Sequence, residues 1–301
     1  MNTPPRIAFI CYRPQERYTV ASVADEDVSL LHFLEQKGLH IRREIWNEPP
    51  SQAWENYDFV VLKSPWDYYD NLPLFLSWLQ QITVQGSVLL NPEVIIRQNF
   101  DKRYLYEIEK AGFNIAPTRY LFTEEPYDLL DFFRVFDTEK IVLKPCISSG
   151  ARNTFALTRE ELIQKEMLIA PLLKQENYMV QAFLDAVQTE GEWSFLFFNQ
   201  QYSHCVLKKP RESDYRVQHY HGGTIHAPAE PPKHLSIAQA IVEKFATNCL
   251  YARVDALVQN DVFYLMELEL IEPFLFLNYN PNAYENYYKA LMQQIAQNKR
   301  S

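Results

Sequence analysis

The segment FYLMELELIEPFLF, residues 263–276, carries three glutamates in an otherwise apolar run: Glu267, Glu269 and Glu272. Side chains of a strand alternate between its two faces, so Glu267 and Glu269 point to the same side. At about 4 Å and an effective dielectric constant of ~20, two carboxylates repel each other by on the order of 4 kcal/mol. A shared proton, a basic side chain or a divalent cation should therefore lie between them.

The preceding strand could complete a metal site. A turn at QND, residues 259–261, predicts a hairpin between YARVDALV and VFYLMELE. A three-residue turn gives these opposed pairs: Val258 with Val262, Arg253 with Glu267, and Asp255 with Leu265. Asp255, Glu267 and Glu269 then project from one face, at a spacing that suits the oxygen ligands of Mg²⁺. A slip of one residue would move Asp255 to the other face. In the alternative interpretation, Arg253 neutralises Glu267 and the other acids lie at a solvated rim.

Basic residues upstream could face these acids. Lys144 ends the apolar strand in IVLKPCISSG, where a lysine can reach a phosphate and the amides of Ser148, Ser149 and Gly150 can cradle its oxygens. Lys102 lies near a helix start in NFDKRYL. The segment HCVLKKPRESDYRVQHYHGG adds four cations: Lys208, Lys209, Arg211 and Arg216. Cations that face a carboxylate-held metal make a site for a polyphosphate.

Other polar and aromatic residues are candidates for substrate contact. Trp66, Asp67 and Tyr68 follow the buried strand FVVLKSP, and α/β sheets bind ligands beyond the carboxyl ends of their strands. A packed aromatic loop would explain the same three residues. Glu192 in GEWS could contact substrate or nucleotide, or cap a turn.

Two histidines, His219 and His221 in QHYHGG, share a strand face and could bind a metal. No further His or Cys lies at ligand spacing, so contact with substrate is the better functional prediction for them.

Composition bounds the class of protein. The 301 residues are 47% hydrophobic and 22% charged, which is typical of a globular protein. A formal net charge of −9 argues against a nucleic-acid partner, and the apolar runs are too short to span a membrane. The start of the chain does not resemble a signal peptide, and four scattered cysteines suit free thiols in the cytoplasm. Aromatic residues at 14% could suggest carbohydrate binding, but this leaves the arrangement of charges unexplained.

The order of elements predicts an α/β (α+β) protein. Strands alternate with helices through about residue 95, which indicates a small parallel α/β unit. From residue 178 strands dominate. We predict an N-terminal substrate domain over residues 1–97 and a second domain over 98–301. Within the latter, about 115–180 forms a central lid and 181–301 a subdomain for metal and substrate.

Five short motifs, taken in order, resemble the ATP-grasp superfamily, the fold of glutathione synthetase and D-alanine–D-alanine ligase. They are DK at 101–102, VLKP at 142–145, MVQAFL at 179–184, KKP…DYRVQHYHGG at 208–223 and RVD…MELELIEP at 253–273. Each motif is common alone, but their order and spacing over roughly residues 98–280 are not. The resemblance implies an ATP-grasp fold, in which two α+β subdomains hold ATP between them.

The resemblance also implies a role for each matched residue. Lys102, Lys144 and Lys208 would bind the phosphates of ATP, beside the loop at 148–150. The hinge against which adenine packs would consist of Gln181, Ala182, Phe183 and Leu184. The metal ligands would be Asp255, Glu267 and Glu269. Arg216 would meet an acyl-phosphate, so Arg216 and Lys208 are the predicted catalytic residues. The predicted substrate residues are Trp66, Asp67, Tyr68, Glu192, Arg216, His221, Gly222 and Gly223.

Two positions depart from the family pattern. The loop CISSGARNT has one glycine where relatives often have several, which affects how a lid would close over phosphate. Glu269 stands where the family usually has Asn, and its extra negative charge should tighten cation binding. SPWDYY at 64–69 and the ending LIEPFLFL are similar to a smaller branch that includes the D-cycloserine-forming ligase.

The function implied is an ATP- and Mg²⁺-dependent carboxylate–amine ligase that acts on amino acids or peptides through an acyl-phosphate. The expected cofactors are ATP and two Mg²⁺ ions, which Mn²⁺ could replace, and the expected partners are a small carboxylate and an amine. One alternative is an intramolecular cyclase like the D-cycloserine-forming enzyme. Another is a regulatory nucleotide-binding module without turnover. The oligomeric state is open, with a homodimer the commonest outcome.

Overall fold

The computed structural model describes residues 4–13, 21–211, 223–228 and 232–298, with residues 21–25 described as backbone only. The predicted site residues Arg216, His221 and Gly222 lie outside the described residues, as does His219. Among the described residues, no helix is both long enough and apolar enough to cross a bilayer. All four cysteines are buried free thiols, as predicted.

The N-terminal part of the chain forms a sheet of four parallel strands, in the order β2-β1-β3-β4. Its central strands, β1 and β3, are buried along almost their whole length because helices and other elements cover both faces. The elements are β1 (Arg6–Cys11), α1 (Ala21–Gln36), β2 (His40–Ile45), β3 (Phe59–Ser64), α2 (Leu72–Val84) and β4 (Val88–Leu90). The parallel α/β unit predicted from the sequence is confirmed.

A middle sheet of four antiparallel strands follows two short helices, in the order β5-β8-β6-β7. A capping box at Thr158 and Glu161 starts the helix after β7. The elements are α3 (Glu93–Asn99), α4 (Tyr104–Lys110), β5 (Thr118–Leu121), α5 (Asp131–Val135), β6 (Lys140–Pro145), β7 (Phe155–Thr158), α6 (Arg159–Gln164), α7 (Glu166–Leu173) and β8 (Tyr178–Ala182).

A C-terminal antiparallel sheet contains the acidic hairpin, in the order β11-β10-β9-β12-β13. Its elements are α8 (Ala186–Thr189), β9 (Glu192–Phe198), β10 (Gln201–Lys209), β11 (Thr224–His226), α9 (Leu235–Phe245), β12 (Tyr251–Gln259), β13 (Val262–Glu269) and α10 (Ala283–Asn298). The predicted strand RVQHY lies outside the described residues.

The register of the acidic hairpin differs from the prediction. The turn has two residues, Asn260 and Asp261, both with positive φ, so the three-residue turn was wrong. A β-bulge follows in β13, next to Asp255. The resulting pairs are Gln259 with Val262, Asp255 with Glu267, and Arg253 with Glu269. The turn and the bulge each shift the register by one residue. Because the two shifts add, the acids still share a face.

The hydrophobic cores connect the N-terminal and C-terminal sheets. Phe9 of β1, Leu196 of β9 and Leu291 of α10 belong to one buried cluster. The middle sheet has a separate cluster, which includes Leu143 of β6 and Val180 of β8. The middle sheet therefore packs largely on its own helices, while the other two sheets share a core.

Candidate functional site

Three carboxylates meet on one face of the acidic hairpin. Asp255 on β12 and Glu267 and Glu269 on β13 each offer an oxygen atom, and these atoms all lie within 4.8 Å of one another. Asp255 is buried, whereas the two glutamates are partly exposed. The alternation of the strands, corrected for the bulge, explains why all three project together.

Arg253 lies among the acids and bonds two of them. Its Nη2 donates to Asp255 Oδ2 at 2.8 Å and to a carboxylate oxygen of Glu269. Its Nη1 donates to the carbonyl of Phe274 at 3.1 Å. An arginine does neutralise part of the cluster, but its partners are Asp255 and Glu269 rather than Glu267.

Two lysines complete the charge network. Lys102 Nζ lies 3.1 Å from Glu267 Oε1, and Lys208 Nζ lies 3.4 Å from Asp255 Oδ2. Lys208 also pairs with Glu192, a predicted substrate residue. Each of the three acids of the hairpin therefore has a cation beside it, so the network can hold three carboxylates together in a partly buried place.

The network separates the pKa values of the acids. Burial raises the pKa of Asp255, but Arg253 and Lys208 lower it more, and the carboxyl titrates at about 2. Burial also raises the pKa of Glu269, and its neighbour Glu267 adds to this effect, so that the pKa lies well above its usual range. The Asp255 carboxyl is thus ionised at neutral pH, while Glu269 needs additional positive charge to stay ionised.

Lys144, one residue before the end of β6, differs from Lys102 and Lys208. Within the part of the chain that the structure describes, its Nζ has no carboxylate within 4 Å. Burial lowers its pKa to about 8, although nearby Glu267 opposes this shift. A half-buried ammonium group without an ion pair is suited to bind an anionic ligand.

Lys102 links the loop after β6 to Glu267 on β13. The Nζ of Lys102 donates to the carbonyl of Ser148 at 2.6 Å, and its backbone N–H donates to the carbonyl of Cys146 at 2.8 Å. The hydroxyl of Ser148 is turned inward and donates to the carbonyl of Pro145. Ser149 and Gly150 are more exposed, and Gly150 has a positive φ of 62°.

The predicted adenine hinge ends β8, where the middle sheet meets the C-terminal sheet. Gln181 is buried and donates from Nε2 to the hydroxyl of Thr118 at 2.9 Å. Phe183 and Leu184 belong to an apolar cluster with Leu257 of β12. Ala182 is also buried. Partly buried apolar residues of both sheets pack on this cluster, among them Met266 at the bulge.

The predicted substrate residues of the N-terminal part divide into two groups. Trp66 donates from its indole N–H to the carbonyl of Glu272 at 2.8 Å, and buried Tyr68 lies next to the Glu272 carboxylate. Asp67 instead accepts hydrogen bonds from Trp46 at 2.6 Å and from Asn47 at 3.2 Å, and it is buried. Each of its carboxylate oxygens accepts a hydrogen bond from the segment that follows β2, so Asp67 anchors the loop, and its predicted contact with substrate stays a prediction.

Sequence reasoning gave Arg253 only as an alternative neutraliser and did not assign Glu272. The signal for Glu272 was its position in the same apolar run as the metal acids. Gly223 is buried immediately before β11, whose Thr224 pairs with Lys209. Gly223 therefore lies near the end of β10 that contains Lys208 and Lys209.

Two family models match the chain. Residues 7–91 match the N-terminal domain of D-cycloserine synthetase DcsG, and residues 108–274 match the ATP-grasp domain of prokaryotic glutathione synthetase. The second match covers more than half of the chain. The chain belongs to the ATP-grasp family. The resemblance described from the motifs is therefore confirmed, and membership supports ATP-dependent ligation in general terms.

Individual relatives agree with this family. The cycloserine biosynthesis protein DcsG of Streptomyces lavendulae is 23% identical over 263 residues, which cover 80% of this chain and 85% of that protein. The crystal structure of D-cycloserine synthetase DcsG is similar with a TM-score of 0.79 and 21% identity, over 96% of this chain and 99% of that one. D-alanine–D-alanine ligase of Bacillus anthracis complexed with ATP gives a TM-score of 0.71 at 14% identity, over 98% and 99% of the two chains. At these identities the structures show a common fold.

Proposed function

We propose that this protein uses ATP and Mg²⁺ to activate a small carboxylate as an acyl-phosphate and joins it to an amine, releasing ADP and phosphate. The observation that supports this proposal is the charge network of the candidate site. Three acids of β12 and β13 and the lysines Lys102 and Lys208 lie together, and Lys144 is close enough for Glu267 to influence its pKa.

The residues fit a divalent cation. Three carboxylates with oxygens within 4.8 Å are the hard donors that Mg²⁺ prefers, and phosphate oxygens and water usually complete its shell. Asp255, Glu267 and Glu269 would hold the metal, which would offset the charge of the transferring phosphoryl group. A titration with Mn²⁺ would measure the number of ions bound per protein, and so decide between one ion and the expected two.

The basic residues would orient the phosphates. Lys144 and Lys102 would bind them from the side of the middle sheet, and Lys208 from β10. Because phosphoryl transfer depends chiefly on positioning and on charge stabilisation, no general base is required of the protein. The match of Arg216 to the family motif supports a contact with the acyl-phosphate.

Adenine would lie in the apolar cluster at Phe183 and Leu184, between the middle and C-terminal sheets. This placement supports the proposed division of the chain, with a substrate domain over residues 1–97, a lid over about 115–180, and a metal- and substrate-binding part over 181–301. The separate core of the middle sheet agrees with a lid that moves as a unit.

One second candidate is an intramolecular cyclase. The matches to the DcsG N-terminal domain over residues 7–91 and to the cycloserine biosynthesis protein favour it. A cyclase would attach the activated carboxylate to a nucleophile of the same molecule. It would therefore form ADP from ATP when a single substrate is supplied, whereas a ligase would require two substrates.

A product assay tests the proposal. Amino acids and small peptides that stabilise the protein with ATP and Mg²⁺ are incubated singly and in pairs, and phosphate release and product mass are measured. We expect product from one substrate or one pair, and Glu269→Gln should need about tenfold more Mg²⁺ because the metal loses a charged ligand. Glu190→Gln, an exposed site, is the control. Unchanged Mg²⁺ dependence in Glu269→Gln would contradict the ligand assignment, and ATP binding without turnover would favour the regulatory module.

A further inference from the structure

The loop that leaves β13, residues 270–277, is held by a buried carboxylate of the N-terminal part. Glu26 on α1 accepts the backbone N–H of Leu275 at 2.8 Å and that of Leu277 at 3.0 Å, one on each oxygen. Phe276, between them, has φ of 51° and lies in the left-handed region. That conformation is costly for a residue with a side chain, so the surroundings must hold it in place.

A buried charge compensates Glu26. Lys63 Nζ lies 3.1 Å from Glu26 Oε1 and 3.0 Å from Asp27 Oδ1, and the hydroxyl of Ser64 donates to the other oxygen of Asp27. Burial lowers the pKa of Lys63, but the two carboxylates raise it more, so the lysine stays charged. An ionised Glu26 is the form that can accept two N–H groups strongly.

The same loop is bonded to the candidate metal site. Arg253, which bonds both Asp255 and Glu269, also donates to the carbonyl of Phe274. Only one residue separates Phe274 from Phe276. A displacement of the loop would therefore move the guanidinium and, with it, the orientation of two acids that we assign to the metal.

We propose that Glu26 is a positioning residue for the divalent cation. It is not one of the proposed ligands of the metal or of the nucleotide. It fixes the backbone at Leu275 and Leu277, the loop fixes Arg253, and Arg253 orients Asp255 and Glu269. This inference rests on the proposed function, since it concerns the same acids, and it makes the N-terminal domain a contributor to metal affinity.

Two variants of the full chain separate this role from the charge of the buried cluster. Glu26→Gln and Asp27→Asn each remove one carboxylate from Lys63, but only Glu26 bonds the loop. Amide hydrogen exchange at Leu275 and Leu277 reports on the loop, and electron paramagnetic resonance of Mn²⁺ in the presence of ADP reports on the metal. We expect Glu26→Gln to speed exchange at both amides and to weaken Mn²⁺ binding about tenfold. Asp27→Asn should leave both within about twofold.

The outcomes distinguish the two proposals. If the unchanged protein binds no Mn²⁺ with ADP, the proposed function fails. If it binds Mn²⁺, and Glu26→Gln exchanges faster but retains full Mn²⁺ affinity, the positioning role is overturned. Equal weakening by Asp27→Asn would also overturn it. If Glu26→Gln does not fold, Glu26→Asp keeps the charge but shortens the reach. It should then show the same two changes, and unchanged Mn²⁺ affinity would overturn the inference.

Discussion

At the scale of single residues, Arg253 sets the charge balance of the candidate site. Without it, Asp255 would keep Lys208 as a neighbouring cation, but Glu269 would lose the guanidinium with which it pairs. With it, the pKa of Asp255 is held at about 2, whereas that of Glu269 remains raised by burial. One guanidinium does not neutralise every carboxylate of the network, so additional positive charge would stabilise the site. A divalent cation bound by these acids would supply that charge.

Lys144 gives a test of function against stability. Its folded pKa of about 8 lies below the ordinary value of 10.5, so the folded protein holds this proton less tightly than the unfolded chain. At pH 7 the charge therefore opposes folding, and partial exposure reduces that cost to ~1–2 kcal/mol. We expect Lys144→Met to raise the free energy of unfolding at pH 7 without nucleotide. The gain should shrink as pH rises from 8 to 10.5.

The same variant should bind ATP at least about tenfold more weakly, because a phosphate contact is lost. Denaturant unfolding and nucleotide titration measure the two effects. Lys110→Met, at an exposed lysine of α4, is the matched control and should change neither. A Lys144→Met protein with lower stability and normal ATP affinity would contradict the assignment.

At the scale of elements, the hairpin β12–β13 marks how far the sequence could be interpreted. Strand alternation predicted correctly that Asp255, Glu267 and Glu269 share a face. The pairing was wrong because Asn260 and Asp261 both accept positive φ and form a two-residue turn. Turn residues of this type can be recognised in a sequence, but the bulge could not, since no residue nearby requires it.

The loop after β3 shows a second limit of the sequence. Trp66, Asp67 and Tyr68 are adjacent, and nothing in their types indicates which of them faces the site. The structure turns Asp67 toward Trp46, because the buried indole N–H requires an acceptor. Such partners come from another part of the chain, here the turn after β2, so they follow from the tertiary fold rather than from local pattern.

Because of His204 on β10, we expect the free energy of unfolding to depend on pH. Its Nε2 donates to the carbonyls of Leu275 at 3.0 Å and Phe276 at 3.2 Å, and burial lowers its pKa from 6.5 to about 4. Between these values the unfolded chain binds the proton and the folded protein does not. Stability from this source is thus present above pH 6.5 and falls by ~3 kcal/mol as pH drops to 4.

His204→Gln keeps an N–H donor but does not titrate. We therefore expect the difference in unfolding free energy between the protein and this variant to vary from pH 7 to 4, with the variant losing less. His32→Gln, at an exposed histidine, should follow the unchanged protein. Parallel curves for all three proteins would show that His204 is not the source of the loss.

At the scale of the whole molecule, the distribution of cores indicates which parts can move. The N-terminal and C-terminal sheets share a buried cluster, and side chains of α1 and β10 bond the loop at residues 270–277. The middle sheet has a core of its own and meets the C-terminal sheet at the predicted adenine hinge. Nucleotide binding should therefore change the middle sheet more than the shared core.

Hydrogen exchange with and without ATP and Mg²⁺ tests this expectation. The loop at residues 147–154 contains the partly exposed Ser149 and three positive φ angles, at Gly150, Ala151 and Asn153, which are features of a segment that opens easily. If its amides and Lys144 enclose the phosphates, exchange there should slow by about tenfold or more, while β1 stays unchanged as an internal reference. Lys144→Met should abolish most of the protection. Equal protection of β1 and the loop would indicate global stabilisation instead, and protection of neither would place the nucleotide elsewhere on the molecule.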